Sequence, residues 1–266
     1  MSPSKNKILL IERLKTRKGR PREGLVLVEG VRAVKEALAA QVTVRFVLRS
    51  RRLLQTEAGR ALAAAVSERG GPVDEVDDAD LDGVADTEHP QGVLLVCEEP
   101  KWELPAPPTP SGGPILLLDA IQDPGNLGTL IRAARAFGVS TVVALDGSVD
   151  PWNAKAVRAS AGACFHLDVV RSPWAAVGRW LEGRKVRLLA ADPGGGDVSE
   201  AEPTRPWALA VGNEGAGLRP EIVTAAHSKI AIPMGSGADS LNAGVAGSIL
   251  LYVLTTHGSD APCSTS

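Results

Sequence analysis

Six short apolar runs constrain this chain more than any other feature: ILLLDA from Ile115, TVVALDG from Thr141, FHLDVV from Phe165, VRLLAAD from Val186, WALAVG from Trp207 and KIAIP from Lys229. Helical patterns lie between most of them, for example at 128–137, 153–162 and 174–183. Strands that read as continuous apolar runs are covered on both faces, and their alternation with amphipathic helices predicts a mostly parallel sheet between helical layers. Such α/β sheets bind ligands in the loops that leave the carboxyl ends of their strands. The loops after Leu118, Val211 and Ile232 are therefore the places to look for chemistry.

Upstream, GLVLVEG, VRAVKEALAAQ and VRFVLRS read as strand, helix and strand, followed by a helix over 58–70 and a further strand in GVLLVCE from Gly92. A proline-rich stretch separates this part from the six runs, with six prolines between Pro100 and Pro114. Proline at that density stays extended and solvated. The expected organisation is a basic arm over 1–23, a small α/β domain over 24–98, a linker over 99–113, the parallel-sheet domain over 114–257 and a flexible tail over 258–266.

With 266 residues and 44% apolar content, the chain can build real cores. No stretch approaches the roughly 20 apolar residues of a membrane span, and no signal-type apolar region follows the basic start, so a cytoplasmic protein is expected. Cys97, Cys164 and Cys263 are widely spaced and odd in number, and His89, His166, His227 and His257 are equally scattered. Neither a disulfide framework nor a metal site is expected from them. The formal net charge of -2 conceals an uneven distribution. Lys5, Lys7, Arg13, Lys15, Arg17, Lys18, Arg20 and Arg22 face only Glu12 over residues 5–22, a footprint for polyanions, whereas 74–88 reads as an acidic solvated loop.

The first loop, QDPGNLGTLIRAARAFG at 122–138, places Gly125 and Gly128 around Asn126-Leu127 and lacks the G-x-G-x-x-G turn of a dinucleotide cradle. That spacing argues against a nicotinamide-dependent oxidoreductase. Leu127, Leu130, Ile131, Ala134 and Phe137 keep a helical rhythm, which leaves Arg132 and Arg135 on the sides of the helix. A cation near a helix start opposes the helix dipole unless an anionic partner compensates it. The second loop, GNEGAGL at 212–218, sets Asn213 and Glu214 among three glycines that permit close backbone approach. The third, IPMGSGADSLNAGVAGSILLYVL from Ile232, runs through a glycine-rich loop into a helix that Ser240 or Asn242 would cap.

Taken together and in this order, N-x-G-x-x-x-R-A-A at 126–134, G-N-E-x-x-G-L at 212–218 and S-L-N-x-x-x-A at 240–246 resemble the three motifs of the SpoU (TrmH) family of RNA ribose 2′-O-methyltransferases in the SPOUT superfamily. HPQGV at 89–93 and VRASAG at 157–162 are similar to further positions of that family, and 24–97 resembles the ribosomal-protein-like RNA-binding domain many members carry. The resemblance implies a deep trefoil knot in the sheet domain, which periodicity does not predict and which departs from the usual unknotted chain. It implies S-adenosylmethionine as cofactor, a homodimer, and RNA as substrate, with 23S ribosomal RNA first and transfer RNA second. It also implies that Arg132, Asn126, Glu214 and Asn242 are the catalytic set, and that Gly212, Asn213, Glu214, Ile232, Met234, Ser240, Leu241 and Asn242 hold the cofactor. Arg13, Lys15, Arg17, Lys18, Arg20, Arg22 and Arg135 are the expected RNA contacts. A noncatalytic ribosome-assembly factor would keep the basic segment but need neither Glu214 nor the S-L-N loop.

Overall fold

The basic segment at the start folds. In the computed structural model, which describes residues 2–69, 71–104, 113–235 and 241–256, two helices occupy it: α1 (Lys5–Lys15) and α2 (Gly19–Glu23). Ser4 caps α1, Ile11 and Leu14 are fully buried, and Gly24 ends α2 at φ +62°, a left-handed stop that suits glycine. Composition reads the cations of this segment but not the apolar stripe between them, which is why an arm was expected. The packing also corrects one expected RNA contact. Arg20 is 2% exposed and its Nη1 donates to the Leu14 carbonyl at 3.0 Å, so its guanidinium faces protein. Arg13, Arg17, Lys18 and Arg22 are exposed, while Lys15 is half-buried and bonded to Glu12.

Next come β1 (Leu25–Glu29), α3 (Val31–Ala39), β2 (Val44–Arg49), α4 (Glu57–Arg69), β3 (Val73–Glu75), α5 (Asp78–Val84) and β4 (Val93–Glu98). They form a four-stranded sheet in the order β1-β4-β2-β3, antiparallel except for the β2–β3 pair. Leu25, Leu27, Phe46, Leu48, Leu94 and Val96 alternate onto one face and meet Ile11 and Leu14 of α1. The acidic stretch is therefore not a loop: it supplies β3 and α5. Its carboxylates hold cations at close range, Asp74 to Lys7 at 2.6 Å, Glu75 to Arg49 at 2.5 Å and Asp82 to Arg52 at 2.6 Å.

The second part contains β5 (Ile115–Leu118), α6 (Pro124–Ala136), β6 (Thr141–Ala144), α7 (Ala154–Ala159), β7 (Asp168–Arg171), α8 (Trp174–Gly183), β8 (Arg187–Asp197), β9 (Trp207–Val211), α9 (Pro220–Ala225), β10 (Ser228–Ala231) and α10 (Ala243–Thr256). Its six strands form one parallel sheet in the order β10-β8-β9-β5-β6-β7, as the six apolar runs predict. Leu118 lies opposite Val211, so β5 and β9 end level, and β8 stops pairing with β9 at Ala190 opposite Ala210 but runs on to Asp197.

Residues 152–166 depart from the pattern. The chain divides into two compact units, and Trp152–His166 belongs with Met1–Lys101 while Trp102–Pro151 and Leu167–Ser266 form the other. Ala154 joins the same core as Leu25 and Leu27, and a side chain at Gly162 would collide with Glu36 and Ala33 of α3. Helical periodicity says which residues of 153–162 are buried, not against which sheet. Cys97 and Cys164 are buried, and burial pushes the Cys164 thiol up to about 12. Cys263, His257, the tail over 258–266 and most of the linker over 99–113 lie outside the described residues.

Candidate active site

The first motif does not form a loop. Asp123 accepts from the Asn126 amide at 2.8 Å and Pro124 occupies the first helical turn, so α6 starts at Pro124 and Gly125, Asn126 and Gly128 are already helical. An Asp-Pro pair before an apolar period is a helix-start signal, and the glycines concealed it. Leu127, Leu130, Ile131 and Ala134 are fully buried, Phe137 only partly, and Arg132 and Arg135 lie on the exposed side. Among the described residues Arg132 makes no hydrogen bond or ion pair.

The second motif is a tight loop held at both ends by the turn after β5. Asn213 and Gly217 exchange backbone hydrogen bonds at 3.0 Å, and a side chain at Gly212 would lie 2.3 Å from the Gly217 carbonyl carbon. Glycine is therefore required at 212. The Asn213 side chain fixes the entry: Oδ1 accepts from the Gly215 and Ala216 amides at 2.9 Å, and Nδ2 donates to the Ala120 carbonyl at 2.9 Å. Ala120 itself sits at φ +55°, a strained position for a residue with a side chain. Asp119 fixes the exit. Completely buried, it accepts from the Arg219 amide at 2.8 Å and from Arg219 Nε at 2.7 Å.

The two motifs meet through one hydrogen bond, from Asn126 Nδ2 to Glu214 Oε1 at 2.7 Å. The third motif reaches the same place. Asn242 Oδ1 accepts from the Gly244 and Val245 amides at 2.9 and 3.2 Å, capping α10, and a side chain at Gly244 would meet both Asn242 Oδ1 and Asn126 Oδ1 within 3.3 Å. Capping is thus the observed work of the Asn242 carbonyl oxygen. Beside these groups opens a cavity of about 600 Å³. Gly212, Asn213, Glu214, Ile232, Met234 and Leu241 line it, with an apolar wall from Val211, Val223, Ala243, Ala246 and Leu250. That size and lining suit a small organic ligand. Ser240 lies outside the described residues, and among the described residues no cluster of His, Cys, Asp and Glu could hold a metal.

Two family models match the chain: the SpoU rRNA Methylase family over residues 113–252 and the MRM3-like substrate binding domain over 5–95. The chain belongs to the SpoU rRNA methylase family. Among its relatives, the 23S rRNA (guanosine(2553)-2′-O)-methyltransferase RlmP of Bacillus subtilis is 33% identical, over 91% of this chain and 93% of the relative. The 23S rRNA (uridine(2479)-2′-O)-methyltransferase of Streptomyces viridochromogenes is 32% identical, over 90% and 85%. Of solved structures, the SpoU methyltransferase AviRb from Streptomyces viridochromogenes in complex with AdoMet superposes with a TM-score of 0.84 at 30% identity, covering 95% of this chain and 97% of that one. An AdoMet-bound rRNA methyltransferase from Sinorhizobium meliloti gives 0.83 at 28% identity, covering 97% of each. The α/β fold with its parallel sheet is that of the SPOUT methyltransferases.

Measured against the SpoU pattern, three parts of the site had no counterpart in the motif reading. Asp119 and Arg219 shape the second loop although neither stands inside a motif. Asp192, in β8 two residues past the last one paired with β9, lines the cavity. Its ADPGGG context sets glycines directly after an apolar run, the same signal that singled out the other three loops, although here the strand continues through them. The apolar wall from α10 was legible only as a helix apolar nearly all round.

Proposed function

We propose that this SpoU-family chain is an S-adenosylmethionine-dependent RNA 2′-O-ribose methyltransferase acting on 23S ribosomal RNA in the cytoplasm, and that it works as a homodimer with the knotted sheet its family implies. The Asn126–Glu214 hydrogen bond beside the 600 Å³ cavity carries the reading, because it couples the residues facing substrate to the loop that would hold the cofactor. The backbone of Gly212, Asn213 and Ile232 offers polar groups to an adenosine, and Met234, Leu241, Ala246 and Leu250 offer apolar surface. Bound there, S-adenosylmethionine supplies a methyl group on a positively charged sulfur.

The protein must then orient a ribose hydroxyl and stabilise the oxygen as its proton leaves. Orientation alone lowers such a barrier substantially. Glu214 engages the amide nitrogen of Asn126 and so fixes which side of that amide is presented. The Arg132 guanidinium offers donors and no acceptor, which suits stabilisation of the developing alkoxide and the adjacent phosphate better than removal of a proton. The exposed cations Arg13, Arg17, Lys18, Arg22 and Arg135 supply affinity for phosphate without choosing a sequence. Only ribose carries the 2′-hydroxyl, so the substrate is RNA.

The test is the Arg132→Ala variant, assayed for methyl transfer to ribosomal RNA and for S-adenosylhomocysteine affinity by calorimetry. Methylation is expected to fall at least a hundredfold, on the order found when a transition-state charge contact is lost, with ligand affinity unchanged. Turnover near the wild-type rate would remove Arg132 from the mechanism. Mapping of 2′-O-methylation on total RNA with and without the protein identifies the nucleotide.

A further inference from the structure

Asp192 stands at the cavity with nothing in the methyl-transfer chemistry that needs it. It follows Ala190, the last β8 residue paired with β9, and lies in the stretch 191–195 that β8 inserts between its pairings with Lys229 and Ile230 of β10. β8 stands two strands from β5, and parallel strands lie about 4.8 Å apart, so this end of the cavity is on the order of 10 Å from the strand that leads to Asn126 and Arg132. Any ligand that reaches the reacting groups presents a remote, unreactive part here.

We propose that Asp192 recognises the vicinal hydroxyls of the cofactor's ribose. The assignment rests on the cavity being the S-adenosylmethionine site. One Asp192 oxygen accepts from the Gly194 amide at 2.8 Å and the other faces Lys229 Nζ at 3.0 Å. A carboxylate oxygen has two lone pairs, so each retains one acceptor position, and two acceptors side by side match two neighbouring hydroxyl donors. The Gly194 amide, and after it the Lys229 ammonium, hold the Asp192 carboxyl below the usual carboxylate range, which keeps it an ionised acceptor at neutral pH. Lys229 also argues against the other donor such a cofactor carries. A ligand ammonium placed here would share the carboxylate with an existing cation at 3.0 Å and be repelled by it, whereas neutral hydroxyls are not.

Calorimetry on the full chain tests this with S-adenosylhomocysteine, 5′-methylthioadenosine, which keeps the ribose but lacks the amino acid, and the 2′,3′-dideoxy form of 5′-methylthioadenosine. The wild type should prefer 5′-methylthioadenosine over its dideoxy form by on the order of ten- to hundredfold, as for hydrogen bonds to a charged group. Asp192→Ala should bring the two within about threefold of each other, a loss far smaller than one such hydrogen bond leaves. Asp192→Asn still accepts from Gly194, and should show an intermediate preference with the wild-type melting temperature. Equal wild-type affinity for the two forms, or a preference that survives in Asp192→Ala, overturns the assignment. So does a variant that loses S-adenosylhomocysteine affinity while binding 5′-methylthioadenosine as the wild type does, because the carboxylate would then serve the ammonium. A wild type that binds S-adenosylhomocysteine but fails only the dideoxy comparison leaves the cofactor reading intact. One that binds none of the three overturns both.

Discussion

Asp119 has no exposed surface, and both of its carboxylate oxygens are engaged by a residue 100 positions away in the chain. Removing one member of a buried pair costs more than the pair contributes, because the survivor stays desolvated without its counter-charge. Arg219 is partly exposed, which reduces that cost. Asp119→Ala is therefore expected to lower stability by about 3 kcal/mol, the lower end of the range for a broken buried pair, read as a shifted urea midpoint. Asp119→Asn, which keeps an acceptor, should lose less. S-adenosylhomocysteine affinity should fall with stability in Asp119→Ala, since the exit of the 212–218 loop is tied to this carboxylate. Unchanged stability in Asp119→Ala would mean that the Asn213–Ala120 bond alone sets the loop. Nothing along the sequence pairs Asp119 with Arg219. ILLLDA shows only that an apolar strand ends in a carboxylate, and the partner emerges once β5 and β9 are neighbours.

α10 packs on α6 through its small residues, and Gly247 marks the closest approach: a side chain there would meet Leu130 Cδ2 at 2.3 Å and Val211 Cγ2 at 3.2 Å. Gly247→Val overfills that contact. Such insertions typically cost about 1–3 kcal/mol, and because Ala243, Ala246 and Leu250 of the same helix line the cavity, cofactor affinity should fall together with the urea midpoint. A variant with normal stability and affinity would show that α10 moves freely against α6. At this scale the sequence was most informative. Every apolar run became a strand, and 174–183 became α8, because continuous and 3.6-period burial leave different patterns. Strand order was not legible, since periodicity carries no pairing information. The helical nature of 5–15 and 78–84 was masked by charge, although Ile11, Leu14, Leu81 and Val84 are spaced to be buried. The three site motifs were legible as residues. Their meeting through Asn126 and Glu214 required the fold.

At the scale of the whole molecule, α10 is notable for apolar side chains that remain exposed among the described residues. Val245 and Tyr252, two helical turns apart on α10, are 46% and 54% exposed, with Ile249 half-buried between them. If the proposed homodimer forms through this face, a Val245→Asp and Tyr252→Glu double variant should sediment as a monomer in analytical ultracentrifugation where the wild type sediments as a dimer. A wild type that sediments as a monomer at micromolar concentration would refute the pairing. The placement of Trp152–His166 has a different consequence, for how this protein can be dissected. The backbone passes between the two units three times, after residues 101, 151 and 166, so the proline-rich stretch is only one of three connections. A fragment made by cutting there takes the first unit without Trp152 and Phe165, whose rings pack 5.5 Å apart inside it. The complementary fragment inherits those rings with nothing to cover them. An autonomous first unit thus requires 152–166 to be grafted onto the first piece, and a simple truncation that aggregates reports a severed core rather than a missing activity.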